Sequence, residues 1–306
     1  LSILSLSQLN YWDKEKFDWP HHNLSNFVAS EPHTWHIQDT EEIHRNKNKS
    51  PILLFIHGAG ASTHSWRLIL DHLKKRFRVI LIDLPGHGFT KLGKKNRSSL
   101  ESITEDLELL LIKLNLKPDL VIGHSAGSAV ALNLALSKKI NFKGILCLNG
   151  ALGNFTGMAG FLYPLLAKFL AMSPLTVPFF TSLYSSKSQV EKFLNLTGSK
   201  ISSKGILYYR KLISDKKHVE GTLAMMSQWN LNQLILRWKQ IEIPVCLIVG
   251  ENDNIVQNND NLKASKEIPK AKFIVNPNQG HLMHEEDPEL ISNQIQSFYY
   301  EIQVIK

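Results

Sequence analysis

The chain has 306 residues, 43% of them hydrophobic and 20% charged, a composition that can bury a sizeable core and excludes an intrinsically disordered protein. Its formal charge of +8 comes from lysines and arginines scattered along the chain, without a nucleic-acid-binding motif. The charge therefore predicts a solvated basic surface, and we expect no nucleic-acid partner. The length fits one large domain, or a core with an inserted subdomain.

The cysteines and the apolar segments indicate the compartment. Cys147 and Cys246 each lie in an apolar run and are too few for a disulfide framework, so we expect buried thiols in a reducing environment. Residues 1–10 lack a positive n-region and make a poor signal peptide. No run of about 18 apolar residues predicts a spanning helix. We expect a cytoplasmic protein, with the apolar region Met158–Tyr184 as the candidate for a peripheral membrane contact.

Short apolar runs predict the strands of the fold. They are β-branched or leucine-rich and are not interrupted by polar alternation, which is typical of parallel strands buried on both faces. The runs are Ile52–Ile56, Arg78–Ile82, Leu120–Ile122, Gly144–Leu148, Val245–Val249 and Ala271–Val275.

Amphipathic segments between these runs predict helices, and the alternation of strand and helix is typical of an α/β fold. We therefore expect a mostly parallel, eight-stranded-type sheet flanked by helices. The predicted helices are Ser65–Leu73, Ser99–Leu114, Gly127–Leu136, Asp260–Ile268 and Pro288–Tyr300.

One interval interrupts the alternation. Residues 151–230 separate two predicted strands, whereas an ordinary crossover needs only about a dozen residues. The interval has helical patterns and no convincing strand, so we expect a helical lid inserted into a core made of residues 1–150 and 231–306. The helical patterns are Ala159–Ala171, Ser188–Leu194, Lys204–Ile213 and Val219–Gln228.

A candidate nucleophile stands between a predicted strand and a predicted helix. Gly123-His-Ser-Ala-Gly127 has the G-x-S-x-G pattern of a nucleophile elbow, in the context that this motif requires. Glycines are needed on both sides because the turn brings strand and helix too close for side chains. We predict that Ser125 is the nucleophile, strained and exposed at the carboxyl end of the sheet.

A serine hydroxyl needs a base to take its proton and an acid to orient that base. In this arrangement the order along the chain is Ser, acid, His. Asp253, in the loop after the fifth predicted strand, is the predicted acid, with Glu251 as its rival. His281, in the loop after the sixth, is the predicted base, with His284 as its rival.

An acyl-transfer site also needs donors for the oxyanion. The backbone N–H of Ala126, the residue after the nucleophile, is the first predicted donor. The loop His57-Gly-Ala-Gly60 follows the first central strand, and we predict Ala59 as the second donor, with Gly60 as the alternative. His57 is predicted to brace this loop, and Asp83–Gly88 is predicted to form a structural turn.

The sequence predicts neither a metal nor a cofactor. The histidine pairs His21-His22, His33/His36 and His281/His284 lack a third ligand at a suitable spacing. No dinucleotide-binding or Walker A motif is present. A serine at the elbow, rather than an aspartate, argues against the alkyl-enzyme route of epoxide hydrolases and haloalkane dehalogenases.

Distinctive segments occur along nearly the whole chain, at Asp18–Pro20, Trp35–Gln38, Gly60–Arg67, Asp83–Thr90, Asn149–Leu152, Thr197–Ser199, Met225–Asn230 and His281–Glu286. The core motifs resemble those of the α/β-hydrolase superfamily, and these segments resemble the magnesium-chelatase accessory proteins of bacteriochlorophyll biosynthesis. That resemblance implies a role beside magnesium insertion into protoporphyrin, in the cytoplasm of a phototroph, with magnesium chelatase as a possible partner. The chain departs from the pattern at Gln257, where a proline commonly follows the acid loop, and this leaves the triad intact.

Two classes of function fit these observations. The first is a serine hydrolase acting on an ester or related acyl bond of an apolar or tetrapyrrole-sized substrate, which would bind under the lid. The second is a binding protein that carries a porphyrin or contacts the chelatase and has a vestigial triad. Cofactor-free peroxidation on the same triad is a third possibility. The residues expected to line the pocket are Gly60, Trp66, His124, Phe161, Met225 and Trp229.

Overall fold

A computed structural model describes residues 14–44, 50–153, 178, 182 and 186–304 of the chain. Within these residues, eight strands form a single sheet. The strands are β1 (Ser25–Ser30), β2 (His33–Asp39), β3 (Ile52–Ile56), β4 (Arg78–Ile82), β5 (Leu120–His124), β6 (Gly144–Leu148), β7 (Val245–Gly250) and β8 (Ala271–Asn276).

The sheet has the order β1-β2-β4-β3-β5-β6-β7-β8. β1 and β4 each pair antiparallel with β2, and all other neighbours are parallel. The predicted mostly parallel sheet is confirmed, and the predicted strands end within two residues of the observed ones. Because β3 and β5 to β8 run parallel, the loops that carry the candidate site residues all leave the same edge of the sheet.

The hairpin of β1 and β2 was not predicted from the sequence. Its second strand is almost entirely buried although it contains two histidines and a glutamine. Those side chains are buried because distant groups bond them: His33 pairs with Asp106, and Gln38 donates to the backbone carbonyls of Pro20 and His21. Hydrophobic patterning does not detect a strand whose burial depends on such tertiary partners.

Helices cover both faces of the sheet, and the five predicted core helices are confirmed at their expected places. The described helices are α1 (Glu41–His44), α2 (Arg67–Leu73), α3 (Leu100–Lys113), α4 (Ala126–Ser137), α5 (Lys187–Asn195), α6 (Ser203–Ser214), α7 (Lys216–Gln228), α8 (Asn232–Leu236), α9 (Asn258–Glu267), α10 (Met283–Glu286) and α11 (Pro288–Val304).

Alternate residues of the strands pack on opposite sides of the sheet. On one side Leu54 and Val121 join a cluster with residues of α3, α4 and α9, and on the other Phe55 and Ile122 join residues of α2 and α11. Cys147 and Cys246 are buried free thiols on opposite faces, as predicted. The sheet is therefore a rigid layer from whose edge the functional loops project.

Helices α5, α6 and α7, which we call the crossover helices, lie in the connection between β6 and β7. They correspond to three of the helical patterns predicted for the lid; the fourth, Ala159–Ala171, lies outside the described residues. A polar side chain caps the start of each crossover helix: Ser186 and Ser202 each accept a hydrogen bond from the backbone N–H three residues on, and Asp215 accepts that of Lys217. None of the described helices is long and apolar enough to cross a membrane.

Candidate active site

Ser125 lies at the junction of β5 and α4 in a sparsely populated backbone conformation, with φ 51° and ψ -120°. The two glycines of the motif allow this turn. A Cβ on Gly123 would lie 2.5 Å from the backbone of Gly127, and one on Gly127 would lie 2.2 Å from the carbonyl oxygen of Ile56. Strained conformations of this kind persist where the surrounding structure fixes them, often at reactive centres. The local geometry is that of a nucleophile elbow.

The predicted acid and base are in direct contact. Nδ1 of His281 and Oδ2 of Asp253 are 2.8 Å apart, and the Asp253 side chain is completely buried. The other carboxylate oxygen of Asp253 accepts the backbone N–H groups of Ile255 and Val256, at 2.7 and 3.0 Å. These bonds fix the carboxylate, which in turn orients the imidazole so that Nδ1–H donates and Nε2 is left as the basic nitrogen.

The rival acid and base do not take part in this pair. Glu251 is exposed, and its carboxylate accepts the backbone N–H of Asn278. His284 is fully buried, and burial, with smaller contributions from the charges of His281 and Arg67, lowers its pKa to about 3. A buried histidine with so low a pKa is a weaker base near neutral pH than a group whose pKa lies close to the working pH.

The base lies beside the nucleophile elbow. The rings of His281 and His124, the residue before Ser125, have centroids 4.7 Å apart. Nε2 of His124 donates to the carbonyl oxygen of His281 at 2.8 Å. Among the described residues no hydrogen bond joins Ser125 Oγ to the His281 ring. Such nucleophile–base contacts are often long before a substrate binds.

Asn149 was not predicted as a site residue, yet it connects the loops that carry the acid and the base. Its Nδ2 donates to the carbonyls of Gly280 and His281, both at 2.9 Å, and its Oδ1 accepts the N–H of Gly250 at 2.7 Å. It is fully buried, with φ 43°. The available signal was its position, because it directly follows a buried parallel strand at the edge where sites form.

The segment after α5 also contacts both loops. The carbonyl of Thr197 accepts the N–H of His281 at 3.1 Å, and Ser199 Oγ accepts the N–H of Leu282 at 2.7 Å. Gly198, with φ 80°, approaches the acid loop so closely that a Cβ would lie 1.8 Å from the carbonyl oxygen of Asn252. The crossover connection therefore supports the base and the acid through its backbone and the hydroxyl of Ser199.

The predicted oxyanion loop packs directly on the nucleophile. A Cβ on Gly58 would lie 2.8 Å from Cβ of Ser125, and the next residue, Ala59, is exposed. Within the part of the chain that the structure describes, no acceptor takes the backbone N–H of Ala59 or of Ala126. Both amide groups are thus available to bind the carbonyl oxygen of a ligand whose acyl carbon is attached to Ser125.

His57 and Asp83 are structural, as predicted. His57 Nδ1–H donates to the carbonyl of Gly58 at 2.7 Å and Nε2 accepts the N–H of Leu84 at 2.9 Å, so the ring joins the two loops. Burial by itself would raise the pKa of Asp83, but its contact with His36 and its hydrogen bonds lower that pKa to about 2. The carboxylate is therefore a fixed anion that accepts the backbone N–H of Phe89, just after the turn, and that of Thr63, in the segment after the oxyanion loop.

Three of the predicted pocket residues are in fact buried in the protein. Trp66 is fully buried and packs on Phe55 and on His284, because the short helix before α2 turns its ring toward the sheet. His124 is also buried, and its ring supports the His281 loop through the bond to the carbonyl of His281. Met225 belongs to the core cluster on the α4 side of the sheet. Trp66 was expected in the pocket because it is near the oxyanion loop in sequence and Met225 because it belongs to the apolar lid, but tertiary packing buries both side chains.

The other predicted pocket residues have different positions. Trp229 is half-buried and packs against the same core cluster as Met225, while Gly60 is partly exposed at the end of the oxyanion loop. Phe161 lies outside the described residues. No group of three or more His, Cys, Asp or Glu side chains in the described ranges is placed to hold a metal ion.

The elbow, the acid–imidazole pair and the sheet order define an α/β hydrolase. The chain belongs to that family: the model for the α/β hydrolase fold matches residues 51–288. It is also 38% identical over 278 residues to the magnesium-chelatase 30 kDa subunit of Rhodobacter capsulatus, an alignment that covers 91% of this chain and 95% of the relative. The resemblance to the magnesium-chelatase accessory family is thereby confirmed.

More distant matches include one protein sequence and one crystal structure. The chain is 23% identical to the uncharacterized hydrolase YugF of Bacillus subtilis, over 80% of this chain and 89% of that protein. The crystal structure of the Cif epoxide hydrolase from Acinetobacter nosocomialis superposes with a TM-score of 0.74 at 17% identity, covering 97% of both chains. At these identities the likeness establishes the architecture of the molecule, and its chemistry depends on the residues at the site.

Proposed function

We propose that the protein is a serine hydrolase that cleaves an ester or related acyl bond of an apolar substrate. The observation that carries the proposal is the 2.8 Å contact between Asp253 and His281 beside a serine held at φ 51°. A buried carboxylate fixed by two backbone N–H groups on one side and by an imidazole on the other matches the acid–base part of a catalytic triad.

The proposed reaction begins with attack of Ser125 Oγ on the acyl carbon, while Nε2 of His281 takes the hydroxyl proton. The carbonyl oxygen becomes an oxyanion, which the N–H groups of Ala126 and Ala59 stabilise. The imidazolium, stabilised by Asp253, returns its proton to the leaving oxygen as the bond to the acyl carbon breaks. Water, activated by the same imidazole, then hydrolyses the acyl-enzyme.

The substrate class follows from the proposed lid. We propose that residues 151–230 cover the site. Their apolar side chains, among them the half-buried Trp229, would bind an apolar or tetrapyrrole-like substrate together with Gly60. The likeness to a magnesium-chelatase subunit supports a place beside magnesium insertion and an association with the chelatase. A peripheral membrane contact through the same apolar segment is part of this proposal.

The test is labelling with a fluorophosphonate probe, which reacts only with an activated serine. We expect labelling of the wild-type protein and complete loss in Ser125→Ala. Ser137→Ala, at the other end of α4, is the matched control and keeps full labelling. An unlabelled wild type, with folding verified by circular dichroism, contradicts the proposal.

The second candidate is a non-catalytic accessory protein that binds a porphyrin or the chelatase. The observation in its favour is the 38% identity to a protein named as a chelatase subunit. This function would be favoured over hydrolysis if the fluorophosphonate does not label the wild-type protein and that unlabelled protein still binds. Binding is measured as quenching of protoporphyrin IX fluorescence, or as capture of the protein by magnesium chelatase in a pull-down.

A further inference from the structure

His218 lies on α7, far from the predicted triad in the sequence, and both of its ring nitrogens are bonded to loops at the candidate site. The side chain is 3% exposed. Nδ1 accepts the N–H of Gly88 at 3.0 Å, so Nε2 carries the proton and donates to the carbonyl oxygen of Gly60 at 3.1 Å. Burial lowers the pKa of His218 to about 4, so the ring is neutral near pH 7 and keeps both roles.

The carbonyl of Gly60 controls the orientation of the next peptide. A trans peptide group is planar, and its C=O and N–H point in opposite directions. With the Gly60 oxygen held by His218, the N–H of Ala61 points the other way, where it donates to the carbonyl of Gly58 at 3.2 Å.

The peptide between Gly58 and Ala59 is oriented in the same way. The carbonyl of Gly58 belongs to the peptide that ends in the N–H of Ala59, the proposed oxyanion donor. Because His57 and Ala61 both hold that carbonyl, the N–H of Ala59 points away from them. Two neutral histidines therefore hold the loop, His57 directly and His218 through one further peptide.

The helix that carries His218 is itself fixed against the neighbouring turn. A Cβ on Gly221, one turn further along α7, would lie 2.1 Å from the carbonyl oxygen of Gly86. Such backbone-to-backbone contact allows little displacement of the helix. The position of the His218 ring relative to Gly60 and Gly88 is thus set by the packing of α7.

We propose that His218 is a positioning residue of the oxyanion hole, a role in which the crossover helices keep the N–H of Ala59 directed at the nucleophile. This inference rests on the proposed serine hydrolase function. It assigns to α7 a part in stabilising the transition state, in addition to any part in covering the substrate.

Two substitutions separate the bonds that His218 makes. His218→Gln keeps a donor near the position of Nε2, which reaches Gly60, and gives up the acceptor for Gly88. His218→Asn keeps an acceptor near the position of Nδ1, which reaches Gly88, and gives up the donor for Gly60. His218→Asn removes more side-chain volume than His218→Gln, so a thermal unfolding experiment measures the packing loss of each variant separately from its kinetics.

The readouts are kcat and KM for p-nitrophenyl butyrate and the rate of fluorophosphonate labelling. We expect His218→Asn to lower kcat and the labelling rate by about 10- to 100-fold, less than the direct loss of an oxyanion donor, with KM changed less than about twofold. His218→Gln is expected to keep kcat within about threefold of the wild type.

The alternative outcomes are distinct. Three results would each overturn the positioning role. The first is an equal loss of kcat in the two variants that follows their melting temperatures. The others are an unchanged kcat in His218→Asn and a larger loss of kcat in His218→Gln than in His218→Asn. A wild type that neither hydrolyses the ester nor reacts with the probe would instead overturn the proposed function, and the inference with it.

Discussion

Gly280 and Gly198 lie backbone against backbone, and a Cβ on Gly280 would fall 2.3 Å from the carbonyl carbon of Gly198. This contact brings the segment after α5 against the residue that precedes His281. Neither partner has a flexible side chain that could move aside. The close approach therefore links the position of the imidazole to that of the crossover connection.

The first prediction concerns this contact. Gly280→Ala is expected to lower the free energy of unfolding by about 1–3 kcal/mol, because the backbone must shift, and to lower kcat more than the loss of folded protein explains. Urea unfolding and ester hydrolysis measure the two effects. Gly144→Ala is the control, since its added methyl meets first the movable Cδ1 of Ile302. Equal activity in the two variants would contradict the prediction.

The second prediction separates the acid from its rival. Asp253→Asn retains the shape of the side chain but removes the charge that stabilises the imidazolium and fixes its tautomer, so kcat is expected to fall by about 10⁴-fold. Glu251→Gln changes an exposed carboxylate that is bonded to a loop N–H, and kcat is expected to stay within about twofold. A reversal of these two effects, measured on the same ester, would reassign the acid.

The third prediction concerns the buried contact between α6 and the core. Glu285 pairs with Arg67, and the hydroxyl of Tyr209 donates to the same carboxylate at 2.9 Å. Glu285→Gln leaves Arg67 as a buried unpaired charge and is expected to cost about 3–5 kcal/mol. Tyr209→Phe removes one hydrogen bond to a charged group and is expected to cost about 1.5–3 kcal/mol. Urea titration gives both values, and a larger loss in Tyr209→Phe would be inconsistent with this order.

The fourth prediction is acid sensitivity. Burial lowers the pKa of His57 and His218 to about 4 and that of His87 and His284 to about 3. Between these values and the ordinary pKa near 6.5, the unfolded chain binds more protons than the folded one, so stability falls as the pH falls. Each such proton contributes about 1.4 kcal/mol per pH unit. The urea midpoint is expected to drop steeply between pH 6.5 and pH 4.

His284 provides a check on that prediction. Neither of its ring nitrogens has a partner among the described residues, and its ring stacks on Trp66 with centroids 4.5 Å apart. His284→Phe is therefore expected to be tolerated at pH 7.5 and to reduce the proton uptake on unfolding at pH 5 by about one. An unchanged pH slope would show that His284 does not contribute to the acid sensitivity.

Much of the architecture could be predicted because its signals are local. Buried parallel strands such as Ile52–Ile56 are continuous apolar runs. The elbow around Ser125 is recognised from a motif of five consecutive residues, because its turn requires a glycine at both ends of that motif. The hairpin of β1 and β2 was not predicted, because Gln38 and its neighbours are buried through hydrogen bonds to groups that are distant in sequence. Patterning records the polarity of a residue, whereas its burial depends on its partners.

The amino-acid sequence by itself determined the fold class, the elbow and the order of the candidate nucleophile, acid and base, since these follow from hydrophobic period and short motifs. Only the tertiary structure decided which groups hold them in place. The bonds by which Asn149 and His218 each join two loops became visible only in the fold, because their partners are distant in sequence. Trp66, expected in the pocket, proved to be core, because the direction of a side chain is set by packing and not by its distance along the chain.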